Sequence, residues 1–314
     1  MKAYRKPRFT FDDFELSLLS IPTFLWYVLF SYIPMFGVVM AFKNYKVRPG
    51  KSFLESLFVH SDWVGLDNFK FLFTGNDAYI MFRNTIGYNL IFITLSVIVP
   101  VTLAILISQL YSKRIAKVAQ TCMFMPHFLS WVVVSYFVYA FLSTDKGLVN
   151  NIVRMFGGDG NFNWYQSTTI WPFLLVFLQL WKTVGYNMVV YMASISGIDG
   201  SLYEAALIDG ATKGQQARYI TLPLLRPIIS IMFILAVGNI FRSDFGLFYQ
   251  ATRNSGAITN VTMTIDVYVY KILMERSNVN YSSAAAFLQS VFGLVMIVAA
   301  NLVVKKIDPD AGLF

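Results

Sequence analysis

The sequence predicts an all-α polytopic membrane protein with six transmembrane helices and both termini cytoplasmic. Three observations carry that prediction. Only 13% of the 314 residues are charged and 56% are hydrophobic, where a soluble domain carries about 25% charged residues. Mean hydropathy is +0.57, and several apolar runs exceed the ~20 residues that cross a hydrocarbon core. The basic residues, which set the net charge of +8, gather in short segments beside those runs. That placement orients a membrane protein and does not build a nucleic-acid surface.

Residues 1–17 read as a cytoplasmic N-terminal segment carrying Lys2, Arg5, Lys6 and Arg8, and residues 18–314 as one six-helix domain. The first apolar run is too long for a signal peptide and no small-x-small cleavage site follows, so the segment is expected to be retained. The adjacent carboxylates of "FDDFE" (Phe11–Glu15) sit where span one begins and read as N-terminal helix chemistry. Spans are expected at Leu18–Phe42, Thr85–Leu110, Val118–Leu142, Ile170–Ser194, Pro227–Tyr249 and Ala284–Val304. Lys113, Arg114 and Lys117 mark the loop before span three as cytoplasmic.

The three outer loops differ. The first contains "DWVGLDNFKFLF", aromatic enough to lie against the membrane or a partner. The second holds the turn-rich "GGDGNFNWYQS". The third contains "TMTIDVYVYKIL", which suits a strand or an interfacial helix equally. The single cysteine, Cys122, is expected to be a buried apolar filler.

Between spans four and five lies the polar stretch "SLYEAALIDGATKGQQARYITLPLL", Ser201–Leu225. Ser201 and Glu204 fit a capping box, and Gly210 suits the left-handed residue after a helix end. Thr212 and Gln215 open a second short helix with the same chemistry, which Pro223 and Pro227 are expected to end. Leu202, Ala205 and Ala206 share one face of the first helix. The segment is thus a helix, a glycine corner and a second helix; the plainer alternative is an amphipathic loop lying on the headgroups.

"EAALIDGATKGQQARYITLP" resembles the EAA loop of binding-protein-dependent ABC importer permeases, through Glu204, Ala205, Ala206, Gly210, Ile220, Leu222 and Pro223. "QTCMFMPHFLSWVVVSYFVYAFLS", "GNIFRSDFGLFYQ", "TIDVYVYK" and "AANLVVKK" extend the resemblance to the LplB-type branch, which imports oligosaccharides and polysaccharide fragments. The resemblance implies that residues 198–225 form a cytoplasmic coupling loop that seats in an ATPase cleft. Glu204 would make a polar contact there, Gly210 would shape the turn, and Ala205, Ala206, Asp209, Ala211 and Thr212 would complete the segment. Gly214 and Ala217 depart from the pattern, standing where such loops often carry bulky aromatics.

The implied partners are a second permease chain, two cytoplasmic ATPases that hold ATP and magnesium, an extracellular sugar-binding protein, an oligosaccharide and membrane lipid. No cofactor, metal, catalytic residue or nucleic acid is expected on this chain. "GKS" at Gly50–Ser52 lacks the upstream glycine of a phosphate loop, and His60, His127 and Cys122 form no ligand spacing.

Ionisable residues within spans are candidates for the transport path. Lys182 lies near the middle of span four, with Trp181, Tyr186 and Asn187 beside it; Arg242 and Asp244 lie toward the outer end of span five. Trp131 and Tyr136 add aromatic faces in span three. Snorkelling, ion pairing and helix packing compete with the functional reading at each, and His127 after Pro126 reads as a kink-satisfying or packing residue. Two cations against one acid favour acidic sugars. An ion-coupled secondary sugar transporter is the runner-up and a membrane enzyme on lipid-linked sugars the third reading; neither explains the elbow.

Overall fold

The computed structural model describes residues 11–46, 48–307 and 312. The basic cluster Lys2, Arg5, Lys6 and Arg8 and the Asp12 and Asp13 side chains lie outside the described residues. Among the described residues five helices are long and apolar enough to cross a membrane, and a bent pair brings the number to six when counted as one span. They are span one (Phe14–Phe42), span two (Asn76–Ser108), span four (Ile170–Ser196), span five (Lys213–Gly238) and span six (Val279–Lys306). Helices are the expected solution, because a backbone in hydrocarbon must satisfy its own hydrogen bonds.

Span three differs from the unbroken helix expected over Val118–Leu142. It consists of Lys113–Phe128 and Trp131–Leu142, bent by 100°. Pro126 lacks the N–H that would continue the first half, which tightens into a 3-10 turn over Met125–Phe128. Leu129 is then extended, and Ser130 caps the second half by accepting from the Val133 N–H at 3.3 Å.

Span five is shifted from its expected limits. Its helix starts at Lys213 and runs through both Pro223 and Pro227, neither of which ends it. A π turn at Ala217–Thr221 widens the helix before Pro223, which falls in the first turn of the following α-segment where a missing N–H is least costly. The helix stops at Gly238 instead of reaching Tyr249; residues 239–245 are largely non-helical and a π turn follows at Gly246–Ala251.

Spans two and four form the centre. Val101, Ala104 and Ile107 of span two pack on Met188 and Tyr191 of span four and Leu225 of span five. Toward the opposite end Tyr88, Trp171, Leu175 and Leu178 enclose Val134 and Val138 of span three. Lipid offers no hydrophobic drive for helix association, so close approach by small residues matters. Gly185 shows this: a Cβ there would lie 2.0 Å from the Met123 carbonyl oxygen, so only glycine lets span four touch the first half of span three.

The outer loops close one end of the bundle. Phe69 and Leu72 of the first loop bury against Ala41, Met81 and Ala284 of the chain's own spans. The second loop forms a helix over Leu148–Met155 before its turns. "TMTIDVYVYKIL" is helical over Ile265–Arg276, so the strand alternative falls. Cys122 is exposed on span three, not buried as expected.

Candidate functional site

Two departures from regular helix, the break in span three and the unwound stretch after span five, lie beside one cavity. The break in span three frees the carbonyls of His127 and Leu129, and the unwound stretch after span five frees those of Ile240, Phe241 and Arg242. Each of these carbonyls is met by a side chain from another span. Lys182 Nζ donates to the His127 oxygen at 2.9 Å and to the Leu129 oxygen. Asn89 Nδ2 donates to Ile240 and Arg242, both at 2.8 Å, and Gln289 Nε2 to Phe241 at 2.7 Å. Irregular backbone at membrane depth persists where it is satisfied this way or lines a cavity.

Trp131 and Asp244 join the two breaks. The indole Nε1 donates to Asp244 Oδ2 at 2.6 Å, while Oδ1 accepts from the Gly246 N–H at 2.9 Å. Lys182 Nζ lies 5.4 Å from the Trp131 ring centroid, so cation, indole and carboxylate form one chain of contacts.

The cavity encloses about 360 Å³. Its polar wall comprises Asn89 and Ser96 of span two, His127 of span three, Gln179, Thr183, Tyr186 and Asn187 of span four, and Asn239, Arg242, Ser243 and Asp244 after span five. A smaller recess of about 220 Å³ continues it past Ser96, Asn187 and Asn239. His127 stacks on Tyr186 with centroids 4.6 Å apart. Arg242 contacts Ser290 Oγ at 3.4 Å and makes no ion pair among the described residues. The cavity wall thus carries the Arg242 cation and the Asp244 carboxylate with no salt bridge between them among the described residues, the carboxylate being held by indole and backbone donors.

The residues singled out in the sequence therefore divide. Tyr186, Asn187, Arg242 and Asp244 meet in the cavity. Lys182 does not line it, because its ammonium is spent on the break in span three. Trp131 contributes only through Asp244, Trp181 faces a separate apolar recess with Leu129 and Phe137, and Tyr136 points outward. The uncharged polar residues Asn89, Ser96, Gln179, Thr183, Asn239 and Ser243 were missed. Gln179, Thr183, Tyr186 and Asn187 are spaced i, i+4, i+7, i+8, so a polar stripe on span four was there to be read.

The elbow lies at the other end of span four. Its first helix covers Gly200–Ile208 and is capped by Asp199, whose carboxylate accepts from the Ser201 N–H at 3.0 Å. The expected Ser201 and Glu204 box is absent, because the helix begins one residue before Ser201 and Asp199 already holds the Ser201 N–H. The Ser201 backbone and hydroxyl hold the Asp199 carboxyl below its usual pKa, so the cap stays charged.

The helix ends in a Schellman motif: Ala211 N–H bonds the Ala206 oxygen at 2.8 Å, Gly210 N–H bonds the Leu207 oxygen at 3.1 Å, and Gly210 has φ 79°. Thr212 and Gln215 form the expected capping box. Lys213 Nζ donates to the Gln109 oxygen at 2.7 Å while Gln109 Nε2 donates to the Lys213 oxygen at 2.9 Å, which ties the elbow to the end of span two. Glu204, Ala205 and Asp209 are exposed, and so are Leu207 and Ile208, at 69% and 86%. Those two apolar side chains had not been singled out.

This architecture matches known transporters. Residues 96–310 match the family of binding-protein-dependent transport system inner membrane components. The chain belongs to that family. Such a permease is a transport component of the inner membrane and not an enzyme, which sets aside the ion-coupled and lipid-sugar readings. The permease is 31% identical over 307 residues to protein LplB of Bacillus subtilis, covering 96% of this chain and 92% of that one. It is 31% identical to the polygalacturonan/rhamnogalacturonan transport system permease protein YteP of the same organism, covering 94% and 89%. Its fold matches a bacterial ABC transporter involved in import of the acidic polysaccharide alginate, with TM-score 0.82, 29% identity, and coverage of 95% and 97%. A second structure of that type, with an alginate pentasaccharide-bound periplasmic protein, matches at TM-score 0.81.

Proposed function

We propose that this permease is one half of a permease pair in an ATP-driven importer of oligosaccharides, with a preference for acidic ones. The observation that carries the reading is Arg242: an unpaired cation on the wall of a polar cavity between two broken helices. The cavity offers amides, hydroxyls and the rings of Phe92, His127 and Tyr186, which is the chemistry that matches sugar hydroxyls and sugar faces. Relatives named for polygalacturonan and alginate, both acidic, support the charge preference.

On this reading a binding protein delivers the sugar at the face opposite the elbow. Two ATPases grip the elbows of this chain and its sister chain, residues 198–225 here, and their closure on ATP opens the cavity outward. ATP and magnesium belong to those partners. Residues 1–17, the elbow and both termini are cytoplasmic. Mild-detergent purification from native membranes is expected to retain an ATPase, a second permease and a sugar-binding protein, identified by mass spectrometry; recovery of the chain alone would count against the assembly.

The charge preference has its own test. In proteoliposomes holding the whole importer, Arg242→Gln is expected to slow uptake of acidic oligosaccharides about tenfold, the equivalent of one charge-assisted contact. Uptake of neutral chains of equal length is expected to stay near its starting rate. Equal losses for both classes would overturn the acidic preference.

A further inference from the structure

At the end of the bundle away from the elbow, the chain carries a second polar cavity, open to the surface, of about 280 Å³, with Asp145 and Arg253 exposed at its rim. Its wall draws on three separate segments: Tyr139, Ser143 and Asp145 after span three, Asn163 and Tyr165 before span four, and Arg253 after the π turn. We propose that this cavity is a sugar subsite at the mouth of the transport path, binding one ring of an oligosaccharide whose remainder reaches the inner cavity. The proposal rests on the oligosaccharide reading above.

Four features point to a ligand. Arg253 lies with its guanidinium carbon 4.1 Å from the Tyr139 ring centroid and makes no ion pair among the described residues. The Asp145 carboxylate likewise makes none, so a cation and an anion share the cavity without closing on each other. The Tyr165 hydroxyl, beside the cavity but shielded from solvent, has no hydrogen-bond partner among the described residues, a rare condition for a polar group so placed. Burial pushes its pKa up to about 12, so it remains a donor at neutral pH.

The fourth feature is the backbone that aims Arg253. Arg253 and Asn254 have φ of 53° and 49°, a region uncommon for residues with a Cβ and frequent at ligand clamps. Three bonds hold them there: Arg253 N–H to Gln250 oxygen at 3.0 Å, Asn254 N–H to Tyr249 oxygen at 3.1 Å, and Ser255 Oγ to Tyr165 oxygen at 2.9 Å.

The chemistry selects a hydroxylated ring. Tyr139 and Tyr165 supply faces for sugar C–H groups, the guanidinium donates, the carboxylate accepts, and the Asn163 amide does both. Each cavity carries one cation and one carboxylate; in the subsite both are left to read hydroxyls, whereas in the inner cavity Asp244 is held by the Trp131 indole and Arg242 is the charge left to a ligand. The volume falls just under the ~300 Å³ at which drug-sized sites begin; it suits one ring and excludes a chain. Tyr139 stands eight residues beyond Trp131 on the same helix, about 12 Å along its axis. A longer chain therefore engages both sites at once and gains from their linkage, and a disaccharide engages one at a time.

The test uses the complete importer in proteoliposomes with di-, tetra- and hexasaccharides cut from alginate and polygalacturonan. Arg253→Asn removes the guanidinium with a residue that tolerates the left-handed backbone, and Asn163→Ala removes the amide without touching that corner. Each is expected to raise the half-saturating concentration of tetra- and hexasaccharides about tenfold at unchanged maximal rate, leaving the disaccharides unaffected. An equal rise at every chain length would show a surface that docks the binding protein, and no rise at any length an idle recess; either result overturns the subsite. If the unmodified importer carries none of these chains, the oligosaccharide reading itself fails and the subsite with it.

Discussion

Glu204→Lys is expected to reduce transport about 10- to 1000-fold, the range for reversing one charge in a partner interface, while the chain still inserts and assembles. Glu204 is exposed, makes no ion pair among the described residues, and sits on a helix whose fold depends on other groups. The cap is Asp199, the exit is Gly210, and the anchor is the reciprocal Gln109 and Lys213 pair. Reversing its charge thus leaves the elbow standing and acts on whatever the elbow touches. The readout is ATP hydrolysis stimulated by sugar-loaded binding protein, measured beside uptake. Normal stimulation in the mutant would remove Glu204 from the coupling contact. The exposed Leu207 and Ile208 beside it are the apolar groups such a contact would cover.

Lys182→Met is expected to damage the protein more broadly, lowering its recovery from membranes and its thermal stability in detergent. Its ammonium is the donor for the carbonyls of His127 and Leu129 at the break in span three. Leaving a carbonyl unpaired costs about 1–3 kcal/mol where it is buried, and both of these are half-buried beside the break. The same substitution removes the cation from the Trp131 face and loosens the indole that bonds Asp244. Acidic and neutral sugars are expected to lose uptake together, which separates Lys182 from Arg242. A selective loss of acidic uptake, with recovery and melting temperature unchanged, would return Lys182 to the transport path.

How much of this was legible follows from which signals are local. The six crossings could be read because hydrocarbon thickness imposes a run length, and the elbow because Gly210, Thr212 and Gln215 carry their own capping chemistry. The break in span three was hidden by hydropathy: Phe128, Leu129 and Trp131 are as apolar as the helix around them, and only Pro126 and Ser130 mark it. The end of span five at Gly238 was hidden for a different reason. What stops the helix is the capture of Ile240, Phe241 and Arg242 carbonyls by Asn89 and Gln289, which lie about 150 and 50 residues away along the chain.

The same non-local logic misplaced Lys182. Its depth gave a reason to suspect it, but its partners are carbonyls that an unbroken helix would not have offered. The charged residues drew attention at the expense of the amides, although the stripe Gln179, Thr183, Asn187 forms the longer face of the cavity. Ser201 lost its capping role to Asp199 through a shift of two residues, which is within the ordinary uncertainty of a helix end.

Span five also has a mechanical consequence. From Lys213 at the elbow to Gly238 at the cavity it is one continuous rod of 26 residues, about 39 Å long. Its compliant points are the π turn at Ala217–Thr221, near the elbow, and the interior Pro227, just past the middle of the rod. A load applied at the elbow meets both before the last turns of the helix, which carry it to Asn239 without a further hinge. A tilt of about 10° in such a rod displaces its far end by about 7 Å, so a small rotation at the elbow is enough to move Arg242 and Asp244 past the wall they face.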